Sequence, residues 1–314
     1  MKLASCVDAA DLGLTLLAWR ADSRQGRDDA LRRGIGDLSY LARRGMRRNV
    51  LARLTAALGS ALTAGELRRL ARATFRTSWL EREIYWMRLL ASEPNPIGRI
   101  RELVTVNGLE SLREALAAGR GVVLWESPLG NRALGRLAVS AAGFRVIAVH
   151  GPKHGGSLSR IGQGLVRGLH RSAEARLPVE VVDIDENSTG YLDLLVDHLR
   201  RNGVVCINGF GRLGRRSMTL EFLGESRSFA TGSVSMAIST GAALIPAICY
   251  RDSSGQRHVT LERPCPTGGG ESLGASQARA LRYCLEVLES YLLRYPDQWT
   301  GWHETGSAAR QTRP

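Results

Sequence analysis

The hydrophobic positions of the chain change their period once. In the first ~95 residues they recur at helical spacing, with Leu51, Leu54, Leu58 and Leu62, then Leu67 and Leu70, along one stripe. Thr63, just ahead of Gly65 and Glu66, marks a helix start, and 77–90 reads as a second apolar-rich helix carrying Trp79, Tyr85 and Trp86. Pro94 and Pro96 interrupt this run. Beyond them, short apolar runs at 121–126, 144–150, 179–183, 203–208, 243–249 and 258–261 alternate with helical patterns at 109–118, 131–141, 157–170, 188–201, 232–240 and 276–294. That alternation predicts an α/β fold, a mostly parallel central sheet flanked by helices, preceded by a helical N-terminal region. The expected organisation is a helical region over 1–95 packed on an α/β body over 96–305, with a frayed polar tail at 306–314.

Composition narrows the partners. The chain has 314 residues, 44% hydrophobic and 23% charged, which are globular values. Its net charge of +13 favours an anionic partner. Nearly all the positive charge is arginine, since lysine occurs only at Lys2 and Lys153. Arg43, Arg44, Arg47 and Arg48 form a run with no acid among them, either a solvated helix face or a face for an anionic membrane surface. Nucleic acid is disfavoured, because aromatics are 6% of the chain and the basic runs are not interleaved with them. The five cysteines form no CxxC pair and read as reduced thiols of a cytoplasmic protein. The apolar stretch at 12–19 is too short to span a bilayer. His150 and His154 are four apart, but Pro152, Gly155 and Gly156 argue against one helix carrying both, and no metal site is expected.

The most informative segment is 119–131, a buried strand running into the loop Glu126-Ser127-Pro128-Leu129-Gly130 and a helix start at Asn131. In open α/β sheets ligands bind at the carboxyl ends of strands. Glu126 is therefore a candidate base, if desolvation disfavours its charge, or a structural partner of Arg132 or Arg136. Asn131 is a helix N-cap by type and a candidate oxyanion donor. Ser127 and Cys206 are conceivable nucleophiles, although a buried, inert thiol is the simpler expectation for Cys206. Arg212, Arg215 and Arg216, in a loop after the 203–208 strand, suit a phosphate-bearing ligand. Arg132, Arg160, Arg167 and Asn208 join them as candidate substrate contacts.

Several stretches in order resemble the lipid A biosynthesis (lauroyl/myristoyl) acyltransferase family of the lysophospholipid acyltransferase superfamily. They are GLESLREALAAGRGV at 108–122, Phe222-Leu223-Gly224, Thr231-Gly232-Ser233, TGAALIP at 240–246, and Tyr295-Pro296-Asp297-Gln298-Trp299 with Trp302-His303. The resemblance covers about 40–305. It implies acyl transfer from acyl-CoA or acyl-carrier protein as co-substrate, with no bound cofactor, at the cytoplasmic side and peripheral to the membrane. The family's chemistry uses a histidine and an acid in a motif that here aligns on Gly130-Asn131. Pro128 stands in the histidine's place and Ala133 in the acid's. Asn208 stands where the family has an acidic block. The resemblance therefore implies either acyl transfer to a hydroxyl or amine through an atypical site around Glu126, Ser127 and Asn131, or a catalytically silent relative that binds lipid or a partner.

Overall fold

A computed structural model of the protein describes residues 25–150, 175, 177–184, 190–210, 216–267 and 272–303. Among the described residues five helices come first: α1 (Gln25–Ala42), α2 (Arg44–Leu58), α3 (Ala64–Leu80), α4 (Glu83–Ser92) and α5 (Pro96–Leu103). Thr63 caps α3 in a full capping box with Glu66, as its spacing predicts. The single helix expected over 77–90 is two, broken at Glu81 and Arg82. The Glu81 carboxylate turns away to bind arginines of the sheet. Pro96 does not end the helical run either. It sits at the first turn of α5, where its missing N–H is no loss, and Asn95 caps that helix through the Gly98 amide.

The α/β body follows in the order β1 (Val104–Asn107), α6 (Leu109–Ala117), β2 (Val122–Glu126), α7 (Arg132–Ala141), β3 (Val146–His150), β4 (Glu180–Asp183), α8 (Gly190–Arg200), β5 (Val204–Asn208), β6 (Ser217–Phe222), β7 (Glu225–Ala230), α9 (Gly232–Thr240), β8 (Ala243–Arg251), β9 (Arg257–Leu261) and α10 (Leu273–Arg294). Two short 3-10 turns, Pro296–Gln298 and Thr300–His303, follow α10. Seven strands form one sheet in the order β1-β9-β8-β2-β5-β3-β4. All neighbours are parallel except β8 and β9. The α/β architecture read from the alternation is the one observed. The helix expected over 157–170 lies outside the described residues.

β2 is central, and every residue in it is buried. Its alternate side chains feed two cores. Val123 and Trp125 pack with residues of α9, α10, β6 and β7, whereas Val122 and Leu124 pack with residues of α4, α5 and α7. A strand covered on both faces needs a continuous apolar run rather than an alternating one, which is why Val-Val-Leu-Trp occupies it. β6 and β7 form a separate antiparallel hairpin. Its two-residue turn, Leu223-Gly224, has positive φ at both positions, as a type I′ turn requires. The Leu223 amide is held by the Glu289 carboxylate at 2.6 Å.

Candidate active site

The parallel strands end together, and this edge collects the polar side chains of the sheet: Glu126, His150, Asp183, Asn208 and Arg251 close β2, β3, β4, β5 and β8. The loop from Ser127 to Asn131 leaves β2 at the middle of that edge. It is fixed from two directions. Asn131 caps α7 by accepting from the Leu134 amide at 3.1 Å, and its side-chain N–H donates to the Glu81 carbonyl at 3.2 Å. From the other side, the Gly130 amide donates to the Gln298 carbonyl and the Thr300 amide to the Pro128 carbonyl. Gly130 has φ +57°, and any side chain there meets the Cys249 carbonyl. Gln298 also grips Arg251, accepting from its amide at 2.7 Å and donating to its carbonyl at 2.5 Å.

The candidate residues fall into three groups. Glu126 is buried and paired with Arg136 at 3.2 Å, with each side chain 5% exposed. Arg136 also reaches His150 at 2.9 Å. A guanidinium only donates, so His150 Nε2 accepts and the ring proton sits on Nδ1. Of the two arginines considered for Glu126, Arg136 is therefore the partner, and Arg132 is half-buried at the first turn of α7. Ser127 is buried, and among the described residues its hydroxyl has no hydrogen-bond partner. Asn131 has both ends of its amide engaged, as above.

Asn208 and Arg216 are exposed. The Asn208 side chain accepts from the Phe210 amide at 3.2 Å, and the Arg216 carbonyl accepts from Thr231. Arg160, Arg167, Arg212 and Arg215 lie outside the described residues. Cys206 is fully buried and, as expected, poorly suited to nucleophilic work. Burial, and then the Glu126 charge, push its thiol well above the ordinary range. Cys249, on the other side of β2, is pushed up to about 12 by the same two causes in the same order.

Sequence reading missed a second charged cluster beside the loop. Glu81, at the end of α3, takes a bidentate bond from Arg257 with both contacts at 3.0 Å, and Arg251 Nε lies 3.2 Å from the same carboxylate. Trp86 stacks under Arg257 at 4.0 Å. Glu81 and Trp86 lie far in the chain from the two arginines, which the antiparallel pairing of Arg251 with Arg257 at the β8–β9 turn sets side by side.

The basic run of the N-terminal region divides in two. Arg44 and Arg48 are exposed. Arg47 is half-buried, donates to the Tyr40 carbonyl and stacks on its ring, and Arg43 is half-buried as well. Among the described residues no helix is long and apolar enough to cross a membrane.

A parallel sheet with its loop at the β2 edge, flanked by these helices, has the architecture of an α/β acyltransferase. The chain belongs to the bacterial lipid A biosynthesis acyltransferase family, whose model matches residues 28–304. Among curated proteins it is similar to a phosphatidylinositol mannoside acyltransferase of Mycolicibacterium smegmatis, 26% identical over 215 residues, which are 68% of this chain and 66% of that protein. It is also similar to a protein of the same description from Mycobacterium tuberculosis, 28% identical over 185 residues, 58% of this chain and 55% of the relative. The match thus spans less than two thirds of these relatives' own length.

Proposed function

We propose that this protein transfers an acyl group from acyl-CoA or acyl-carrier protein to a hydroxyl or amine on a lipid, at the β2 edge and without the family's histidine–acid pair. The observation that carries the reading is family membership over residues 28–304, combined with a rigidly held loop at the family's motif position. Relatives described as acylating a mannosylated phosphatidylinositol favour a glycolipid acceptor. Acceleration then rests on orientation of the two substrates and on fixed dipoles and charges around the reacting carbonyl, rather than on a strong base. The Ser127 hydroxyl, buried in this loop and without a hydrogen-bond partner among the described residues, is the donor we assign to it. The acceptor's membrane is met through the exposed arginines Arg44 and Arg48, beside the exposed Leu31, Leu38 and Leu41 of α1, as a peripheral protein on the cytoplasmic face.

A second reading has one observation in its favour. Arg136 neutralises Glu126 inside the protein, which is what a silent lipid-binding relative needs. One experiment separates the two. Purified protein is mixed with acyl-CoA and acyl-carrier-protein donors and with amine, hydroxyl and mannosylated-lipid acceptors, and products are followed by mass spectrometry. Glu126→Gln and Ser127→Ala are run in parallel. Transfer retained in Glu126→Gln and reduced in Ser127→Ala supports the proposal. Transfer by no combination, with acyl chains still bound, selects the silent relative.

A further inference from the structure

We propose that Cys265 and Cys284 are a redox-responsive pair that closes into a disulfide and locks α10 to the central sheet. Their Sγ atoms stand 3.4 Å apart across 19 positions of the chain, and both thiols are free and buried. A disulfide bond is about 2 Å long, so little more than an ångström separates this contact from a bond. Cys206 and Cys249 are buried as well, but they stand on β5 and β8 with β2 between them. Two strand spacings, about 10 Å, are too many for a disulfide to bridge.

The two thiols belong to surfaces that are already fastened together. The segment after β9 runs along α10, where the Glu262 carboxylate accepts from the Tyr291 hydroxyl at 2.6 Å and the Arg263 carbonyl from the Tyr283 hydroxyl at 3.3 Å. Cys265 itself is anchored to β8, its amide donating to the Leu244 carbonyl at 2.7 Å. Closing the pair therefore adds a covalent tie to an existing contact. At its far end α10 leads into the turn whose Gln298 carbonyl holds the Gly130 amide, so the tie bears on an element that supports the β2 loop. The step needs a two-electron oxidant, and hydrogen peroxide is small enough to enter. Cys265, at 5% exposed, is the member that solvent reaches. Cys284 is wholly buried, and burial together with its bond to Cys265 holds its thiol well above the ordinary range. The Cys265 thiolate attacks one peroxide oxygen, the O–O bond breaks, and the hydroxide released takes up the Cys265 proton. The Cys284 sulfur then attacks the sulfenic sulfur, and its proton leaves with that hydroxyl as a second water. Two thiols are oxidised and one peroxide is reduced to two waters. The lock does not depend on the acyl-transfer reading.

The test uses the folded full-length wild type, so it needs no variant to fold. The protein is treated with hydrogen peroxide, its remaining thiols are alkylated under denaturing conditions, and non-reduced tryptic peptides are read by mass. Cleavage after Arg279 and Arg282 places the two cysteines in separate peptides. The expected result is a linked Cys265–Cys284 peptide, with Cys206 and Cys249 recovered as alkylated thiols. The oxidised protein should melt about 3 °C or more above the reduced protein, as a cross-link of this loop length predicts. A dithiol reductant should reverse the gain, and Cys265→Ser should abolish both the link and the gain. No linked peptide from folded protein, linkage only after denaturation, or a link that leaves the melt unchanged or lower overturns the proposal.

Discussion

The Arg136 guanidinium stands 3.2 Å from the Glu126 carboxylate with both side chains 5% exposed, so the most suggestive acid in the sequence is half of a sealed ion pair. Such a pair contributes little net stability, but removing one member leaves a buried charge alone. Arg136→Met should therefore destabilise by about 3–5 kcal/mol. The double variant Glu126→Gln with Arg136→Met should recover much of that loss. Urea denaturation of the wild type, both single variants and the double closes the cycle. Additive losses would show that the two groups do not interact.

Gly209 follows β5 and lies against the indole of Trp125, where an added Cβ overlaps the ring. Trp125 is wholly buried and has no room to move aside. Gly209→Ala should cost about 1–3 kcal/mol or more, as overpacked cores do. A thermal melt within a degree of the wild type would contradict this packing.

His303 sits edge-on against Phe75, with ring centroids 4.8 Å apart. Burial lowers its ring from 6.5 to about 4, and the charges of Arg43 and Arg53 push the same way against an opposing bond with the Thr74 backbone. Between pH 6.5 and 4 the unfolded chain binds a proton that the folded one refuses, so stability falls as the pH falls. This one group should account for roughly 3 kcal/mol across that window. His303→Gln should flatten the slope of stability against pH there by that amount. An unchanged slope would remove His303 as its source.

Arg44 and Arg48 are the exposed members of the basic run. Replacing both with Gln should weaken binding to anionic vesicles about tenfold or more at low salt, at about 1 kcal/mol for each charge. Arg47→Gln should act on stability instead, because its side chain is engaged with Tyr40. Vesicle co-sedimentation and thermal melts, run on the same samples, distinguish the two effects.

The strands of the sheet were legible because each is a short apolar run closed by a polar residue, and the five expected runs from β2 to β8 end within two residues of where they were placed. β1 was not, since Val-Thr-Val-Asn is too short to show a period beside the helix before it. The β6–β7 hairpin was written plainly enough, in the alternation Met218, Leu220, Phe222 and in the turn glycine Gly224. Only Phe222-Leu223-Gly224 of this hairpin enters the family resemblance. At the site, the loop and the Asn131 cap follow from local sequence, and Arg136 was one of two arginines considered for Glu126. The Glu81–Arg251–Arg257 cluster had no local signal. It joins a helix end to a strand pair about 170 residues downstream, and its charges look like ordinary surface charges until the fold brings them inward.

The grip of Gln298 and Thr300 on the β2 loop has a consequence for biosynthesis. The loop is made early, yet two of its backbone partners leave the ribosome about 170 residues later. Trp299 also pairs with Leu129, and Asp297 bonds Thr77 of α3. While the nascent chain is still growing, the loop lacks these partners, and it can take the shape described above only once translation has delivered the turns after α10.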